Sequence, residues 1–213
     1  ILSNAHFFGA PRAAVRSGVM YPAAAERMKQ IRNLFPHDEI EMFMALRNPA
    51  SLLPAMYEQS PRTSISGYLG VNDPCDIRWS DTLYSIRNAV PDVSITVWCS
   101  EDTPLIWVQI VREIAGLELS QEIDGEFDLL REIMSPEGMK RFETYLKSHP
   151  DMTEMQKRRV ISAFLDKFAL DEEIEEELNV AGWDDQLMDD TTDVYDEDML
   201  EVQRIPSVTL IAP

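Results

Sequence analysis

The sequence predicts an α/β fold, a parallel sheet flanked by helices, with a helical C-terminal subregion. Three observations carry that prediction. Short apolar runs at residues 40–46, 94–99 and 208–211 have the composition of buried strands. Well-marked helices lie between the first two runs, and the pattern from residue 124 onward is helical almost to the last run. One α/β domain is expected over residues 1–213, with a sheet-forming core at 1–118, an acidic helical subregion at 119–204 and a returning strand at 205–213.

Residues 1–9, ILSNAHFFG, pass from apolar to polar and read as the end of a strand entering a loop. His6 lies near that strand end and is a candidate base or phosphate donor. A plain surface role competes with it, because general-base work needs partner geometry that a sequence does not display. Arg12 and Arg16 follow in a loop. Residues 21–35 place Ala24, Met28, Ile31 and Phe35 on one helical face, and 36–38 stop the helix.

The run at 40–46 is apolar enough to predict burial on both faces. It passes without a loop into Arg47-Asn48-Pro49 and a helix. Asn48 is a favourable N-cap and Pro49 suits the first turn. N–H groups at a helix start attract anions, and Arg47 adds a fixed positive charge. A phosphate-reading site is therefore expected at this junction. Residues 62–76 read as a long surface loop, Ser80 as the cap of a helix reaching Val90, and 94–99 as a second buried strand. Ser100-Glu101-Asp102-Thr103-Pro104 then leads to a helix over 105–115 closed by Gly116. Its acidic residues suit a metal, a hydroxyl or a partner arginine, but Asp102 or Thr103 as an ordinary cap is the favoured reading.

Further helices are expected at 123–134, 135–149 and 153–168, the last opened by a capping box from Thr153 to Gln156. Its core face is Met155, Ile161, Phe164, Leu165 and Phe168, and Lys157-Arg158-Arg159 read as partners for nearby carboxylates. A short acidic helix is expected at 171–178. One or two more follow over 183–202, with Trp183, Leu187, Tyr195, Met199 and Val202 as buried points.

The net charge of −19 is unevenly divided. Residues 1–100 carry 9 basic and 9 acidic side chains, and residues 101–213 carry 10 and 29. Such a balance argues against nucleic acid and anionic membrane surfaces as partners, since phosphate backbones need clustered positive charge. The acidic half reads as a solvated helical surface, with a protein partner on it as the competing reading. No apolar run is long enough to span a membrane, and none resembles a signal peptide. Cys75 and Cys99 lack metal-ligand spacing and suit a reducing cytoplasmic setting. The chain opens on Ile1 inside an apolar run, so a longer natural N-terminus is expected. Glycine-rich phosphate loops, HExxH, paired CxxC and GxSxG are not found, and no repeat period is evident.

Strand, Arg47-Asn48-Pro49, helix resembles the second nucleotide-binding motif of the P-loop sulfotransferase superfamily. There the arginine and a serine eight residues later hold the 3′-phosphate of the sulfate donor 3′-phosphoadenosine 5′-phosphosulfate (PAPS). The ILSNAHFFG start looks like the strand preceding this motif in bacterial sulfotransferase-like proteins, and VWCSEDTPLIWVQIVREIAG, residues 97–116, is similar to the strand, acidic turn and helix that follow it. Together these cover about half of the chain. The resemblance implies a P-loop nucleoside-triphosphate-hydrolase-like fold of sulfotransferase type and PAPS as cofactor. It also implies sulfuryl transfer to a hydroxyl on a small molecule or glycan. Arg47 and Asn48 would orient the donor and His6 would be the base. Two departures stand against the pattern. Ala55 occupies the position of the ligand serine, leaving Ser51 as the substitute, and the loop for the 5′-phosphate would precede Ile1. A non-catalytic α/β interaction subunit with an acidic helical surface is the alternative.

Overall fold

The computed structural model describes residues 1–70, 73–118, 121–170 and 180–213. It is α/β, with a three-stranded parallel sheet flanked by helices. The chain forms two compact units, Ile1–Val97 with Leu178–Leu210, and Trp98–Glu177 with Ile211–Pro213.

The first unit opens without a strand. Phe7 N–H donates to the Asn4 carbonyl and Gly9 N–H to that of His6, so residues 4–9 turn rather than extend. Pro11–Ala13 is a short 3-10 turn that holds Arg12. Arg16 belongs to a hairpin that the sequence left as loop: β1 (Val15–Arg16) pairs antiparallel with β2 (Val19–Met20), Val15 opposite Met20. Both turn residues, Ser17 and Gly18, have positive φ (51° and 75°), which matches the twist of a two-residue hairpin.

Helix α1 (Ala24–Leu34) buries Ala24 and Met28, while Phe35 at its end stays partly exposed. Strand β3 (Glu41–Leu46) buries Met42 and Leu46 but exposes Glu41 and Ala45, so burial on both faces is incomplete. Helix α2 (Pro49–Glu58) starts where the sequence places it. The expected loop at 62–76 instead contains α3 (Ile65–Leu69). Ser64 caps its start, Gly70 ends it at φ 68°, and Ile65, Tyr68 and Leu69 are buried. Apolar residues between a serine cap and a left-handed glycine are enough for a short helix.

Helix α4 (Trp79–Ala89) packs on α1. Its N-cap is Arg78, not Ser80, and no side chain of its own caps it. Strand β4 (Ser94–Cys99) and strand β5 (Val208–Ile211) fall where expected, and the sheet order is β3-β4-β5.

In the second unit, α5 (Thr103–Ala115) ends on Gly116, and α6 (Asp128–Ile133) is shorter than predicted because Gly125 takes a left-handed φ of 79°. Helices α7 (Pro136–Ser148) and α8 (Glu154–Phe168) begin at the predicted caps, Ser135 and the Thr153–Gln156 capping box. Leu130, Met134, Met139, Phe142 and Ile161 form the core, with Phe127 and Phe164 edge-on to Phe142. Met155 is outside it at 61% exposure, on the face where Arg159 meets its sulfur. Lys157 pairs with Glu126 and Glu154, as expected of the basic cluster. Arg158 instead donates to Gln109 and the Ala212 carbonyl.

The acidic helix expected at 171–178 lies outside the described residues. Helix α9 (Asp185–Val202) returns to the first unit, capped by Asp184, and packs on α2 and α4. Thr191, Tyr195, Asp198, Met199 and Val202 are its buried residues; Trp183 just before it is buried too, and Leu187 only half so.

Candidate functional site

The β3–α2 junction lies at the carboxyl end of a parallel strand, where open α/β sheets place their ligands. Asn48 shapes it. Its Oδ1 accepts the Ala50 N–H at 2.9 Å, and its carbonyl accepts the N–H groups of Ser51 at 3.1 Å and Leu52 at 2.9 Å. Pro49 has no N–H to offer. The donors of the first turn are therefore engaged within the turn itself, and the expected pull of unsatisfied N–H groups on an anion is weakened. What the junction offers an anion is side chains. Ser51 Oγ donates to the Asn48 carbonyl at 3.2 Å and accepts from Arg47 Nε at 3.0 Å.

Four side chains hold this turn from outside it. Tyr195 O–H donates to the Leu46 carbonyl at 3.0 Å, Trp79 Nε1 to that of Arg47 at 2.9 Å, and Trp183 Nε1 to that of Ala50 at 2.8 Å. Asn48 Nδ2 donates to Thr192 Oγ1 at 3.0 Å, and Thr192 O–H in turn donates to the Met188 carbonyl at 2.8 Å. Buried tryptophan and tyrosine rings need a partner for their single donor, and here the carbonyls of Leu46, Arg47 and Ala50 supply it. Trp183 and Tyr195 were legible in the sequence as buried points; their partners were not.

Arg47, Asn48 and Ser51, the predicted donor-binding residues, are thus brought together and half-buried. His6 is separate from them in the hydrogen-bond pattern. It sits exposed in the opening turn, its backbone N–H donating to Asn4 Oδ1 at 2.7 Å and its carbonyl accepting from Arg27 at 3.1 Å. Among the described residues no hydrogen bond joins it to the junction.

A guanidinium held at the end of a parallel strand is phosphate-binding chemistry, and to that extent Arg47 fits the 3′-phosphate of PAPS, while the proton of Ser51 Oγ goes to the Asn48 carbonyl. In the second unit, Asp102 occupies the N-cap position of α5 without a side-chain capping bond, which corrects the cap reading. Thr103 is the first residue of the helix and not its cap, and its Oγ1 accepts from Trp98 Nε1 at 3.2 Å. Burial, and then the charge of Glu101, raise the Asp102 carboxyl above its ordinary pKa. Among the described residues, no three His, Cys, Asp or Glu side chains are arranged to hold a metal, and no helix is long and apolar enough to cross a membrane.

Comparison with protein families, with characterised proteins and with solved structures finds no match to this chain.

Proposed function

We propose that the chain is a sulfotransferase-like protein that takes the 3′-phosphate of PAPS at the β3–α2 junction. The observation that carries this reading is the 3.0 Å bond from Arg47 Nε to Ser51 Oγ. It puts a serine hydroxyl beside the arginine although Ala55 stands where the resemblance calls for serine. Arg47 binds phosphate oxygens in this reading, Ser51 holds its guanidinium through Nε, and Asn48 fixes the turn that presents them.

PAPS supplies the sulfuryl group. The bond from its sulfur to the phosphate oxygen breaks, a bond to an acceptor hydroxyl oxygen forms, and adenosine 3′,5′-bisphosphate leaves. The hydroxyl proton passes to a base, for which His6 is the candidate. The acceptor is a small molecule or a glycan. A reducing cytoplasmic location belongs to the same reading and rests on the spacing of Cys75 and Cys99 alone.

Titration with adenosine 3′,5′-bisphosphate tests it. Arg47→Ala is expected to weaken binding about ten- to a hundred-fold, the worth of a charge-assisted phosphate contact. Equal affinity in the variant overturns the assignment of Arg47.

A second reading, a non-catalytic interaction subunit, is favoured by the outer face of α9. Asp185, Asp189, Asp193 and Asp196 are exposed there and have no ion-pair partner among the described residues. A protein with a basic face fits that surface. Its test is a pull-down with the chain and with all four aspartates changed to asparagine, and equal recovery of the same partner would sink it.

A further inference from the structure

We infer that Thr192, on α9, is a positioning residue for the Arg47–Ser51 anion site; this rests on the donor-binding reading above. Two sets of hydrogen bonds, linked through the backbone of Asn48, join the two. Thr192 O–H donates to the Met188 carbonyl, so its single proton is used within α9. Its oxygen is left as an acceptor, and Asn48 Nδ2 donates to it at 3.0 Å. That bond sets the amide with Oδ1 toward the Ala50 N–H, which it accepts at 2.9 Å. The reverse orientation would set Nδ2–H against the Ala50 N–H, donor against donor.

Asn48 carries that side-chain bond into the turn through its own backbone, whose carbonyl accepts from Ser51 Oγ at 3.2 Å. The Ser51 proton is then spent on that carbonyl, and the oxygen accepts from Arg47 Nε at 3.0 Å. Each hydroxyl in the series donates once and accepts once, Thr192 to the Met188 carbonyl and from the Asn48 amide, Ser51 to the Asn48 carbonyl and from Arg47 Nε. Thr192 touches no phosphate in this scheme. It acts through Asn48 on the rotamer of Ser51 and, through Ser51, on the guanidinium.

These bonds also explain a spacing in the sequence. Thr192 is half-buried on the flank of α9, between buried Thr191 and Tyr195 and the exposed aspartates. A hydroxyl there serves no cap among the described residues. Among the described residues, its one hydrogen bond beyond its own helix is from Asn48.

The test is titration with adenosine 3′,5′-bisphosphate of the chain, Thr192→Val, Thr192→Ser and Arg47→Ala, with thermal unfolding followed in parallel. Thr192→Val keeps the shape and loses the acceptor, and it is expected to weaken binding about five-fold, the worth of one neutral hydrogen bond. Thr192→Ser keeps the acceptor and is expected to bind as the chain does, which a loss caused by general loosening would not reproduce. Thr192→Ala gives the same reading should the valine variant not fold. Equal affinity in Thr192→Val, with binding lost in Arg47→Ala, overturns this inference and leaves the donor-binding reading standing. Absence of binding by the chain itself overturns both.

Discussion

Asp198, on α9, caps α4 through Ser80. Its Oδ1 accepts from the Ser80 hydroxyl, and its Oδ2 accepts the backbone N–H groups of Trp79 at 2.7 Å and Ser80 at 3.1 Å. The carboxylate is only 3% exposed. A helix start without a cap of its own thus borrows one from another helix, and the negative charge meets the positive end of the α4 dipole.

Asp198→Ala would leave two backbone N–H groups and one hydroxyl buried without an acceptor. We expect a loss of about 3 kcal/mol, given roughly 1–3 kcal/mol for each unsatisfied group with partial relaxation. Because Trp79 also donates to the Arg47 carbonyl, the variant should weaken anion binding at the junction as well. Urea unfolding measures the first effect, and a loss below about 0.5 kcal/mol, the range of an ordinary surface change, would contradict this account.

Gly138, in the first turn of α7, gives a prediction whose sign depends on packing. Alanine normally stabilises a helix by about 1 kcal/mol over glycine. Here an added Cβ would meet the Phe168 side chain, with its Cγ at 2.8 Å, and Met134 Cγ at 2.9 Å. Overpacking of this kind costs about 1–3 kcal/mol, so Gly138→Ala should destabilise the protein. A higher unfolding midpoint for the variant would show that the Phe168 contact yields easily.

Tyr68 predicts an alkaline limb of stability. Its hydroxyl donates to the Pro11 carbonyl at 2.7 Å, and burial, with a smaller contribution from Tyr21, raises its pKa from 10.0 to about 12. The folded state therefore keeps a proton that the unfolded state releases from pH 10.0 upward. Stability from this group is complete below pH 10.0 and is lost as pH rises through about 12. Tyr68→Phe should cost about 1 kcal/mol near neutrality through the lost bond and should flatten that limb. Denaturation midpoints of both proteins across this range check the difference.

Asp102 predicts the opposite use of a carboxyl. Burial and the neighbouring Glu101 raise its pKa above 3.8, so the folded state disfavours its charged form. The protonated form's contribution is complete below pH 3.8 and is lost as pH rises through the folded value. Asp102→Asn is therefore expected to raise stability at pH 7, with the gain disappearing below pH 3.8. Thermal unfolding at the two pH values decides it, and a destabilised variant at pH 7 would mean that the charge serves the start of α5 instead.

Local signals in the sequence determined strands β4 and β5, the Asn48 start of α2, the Ser135 start of α7 and the capping box of α8. Each is written within a few consecutive residues, in strand-like apolar runs or in side chains that bond backbone two or three positions away. It also named Arg47, Asn48 and Ser51 together, because they are neighbours along the chain. What surrounds them was decided by tertiary structure. Asn48 meets Thr192 across 144 residues, Ala50 meets Trp183 across 133, and Leu46 meets Tyr195 across 149. The Ser80 cap failed for the same reason. A serine near a helix start reads as a cap, and only the fold places Asp198, 118 residues later, where its carboxylate takes those donors first. Sequence pattern records which polar atoms need partners; the packing of α9 on α2 and α4 selects which partners they get.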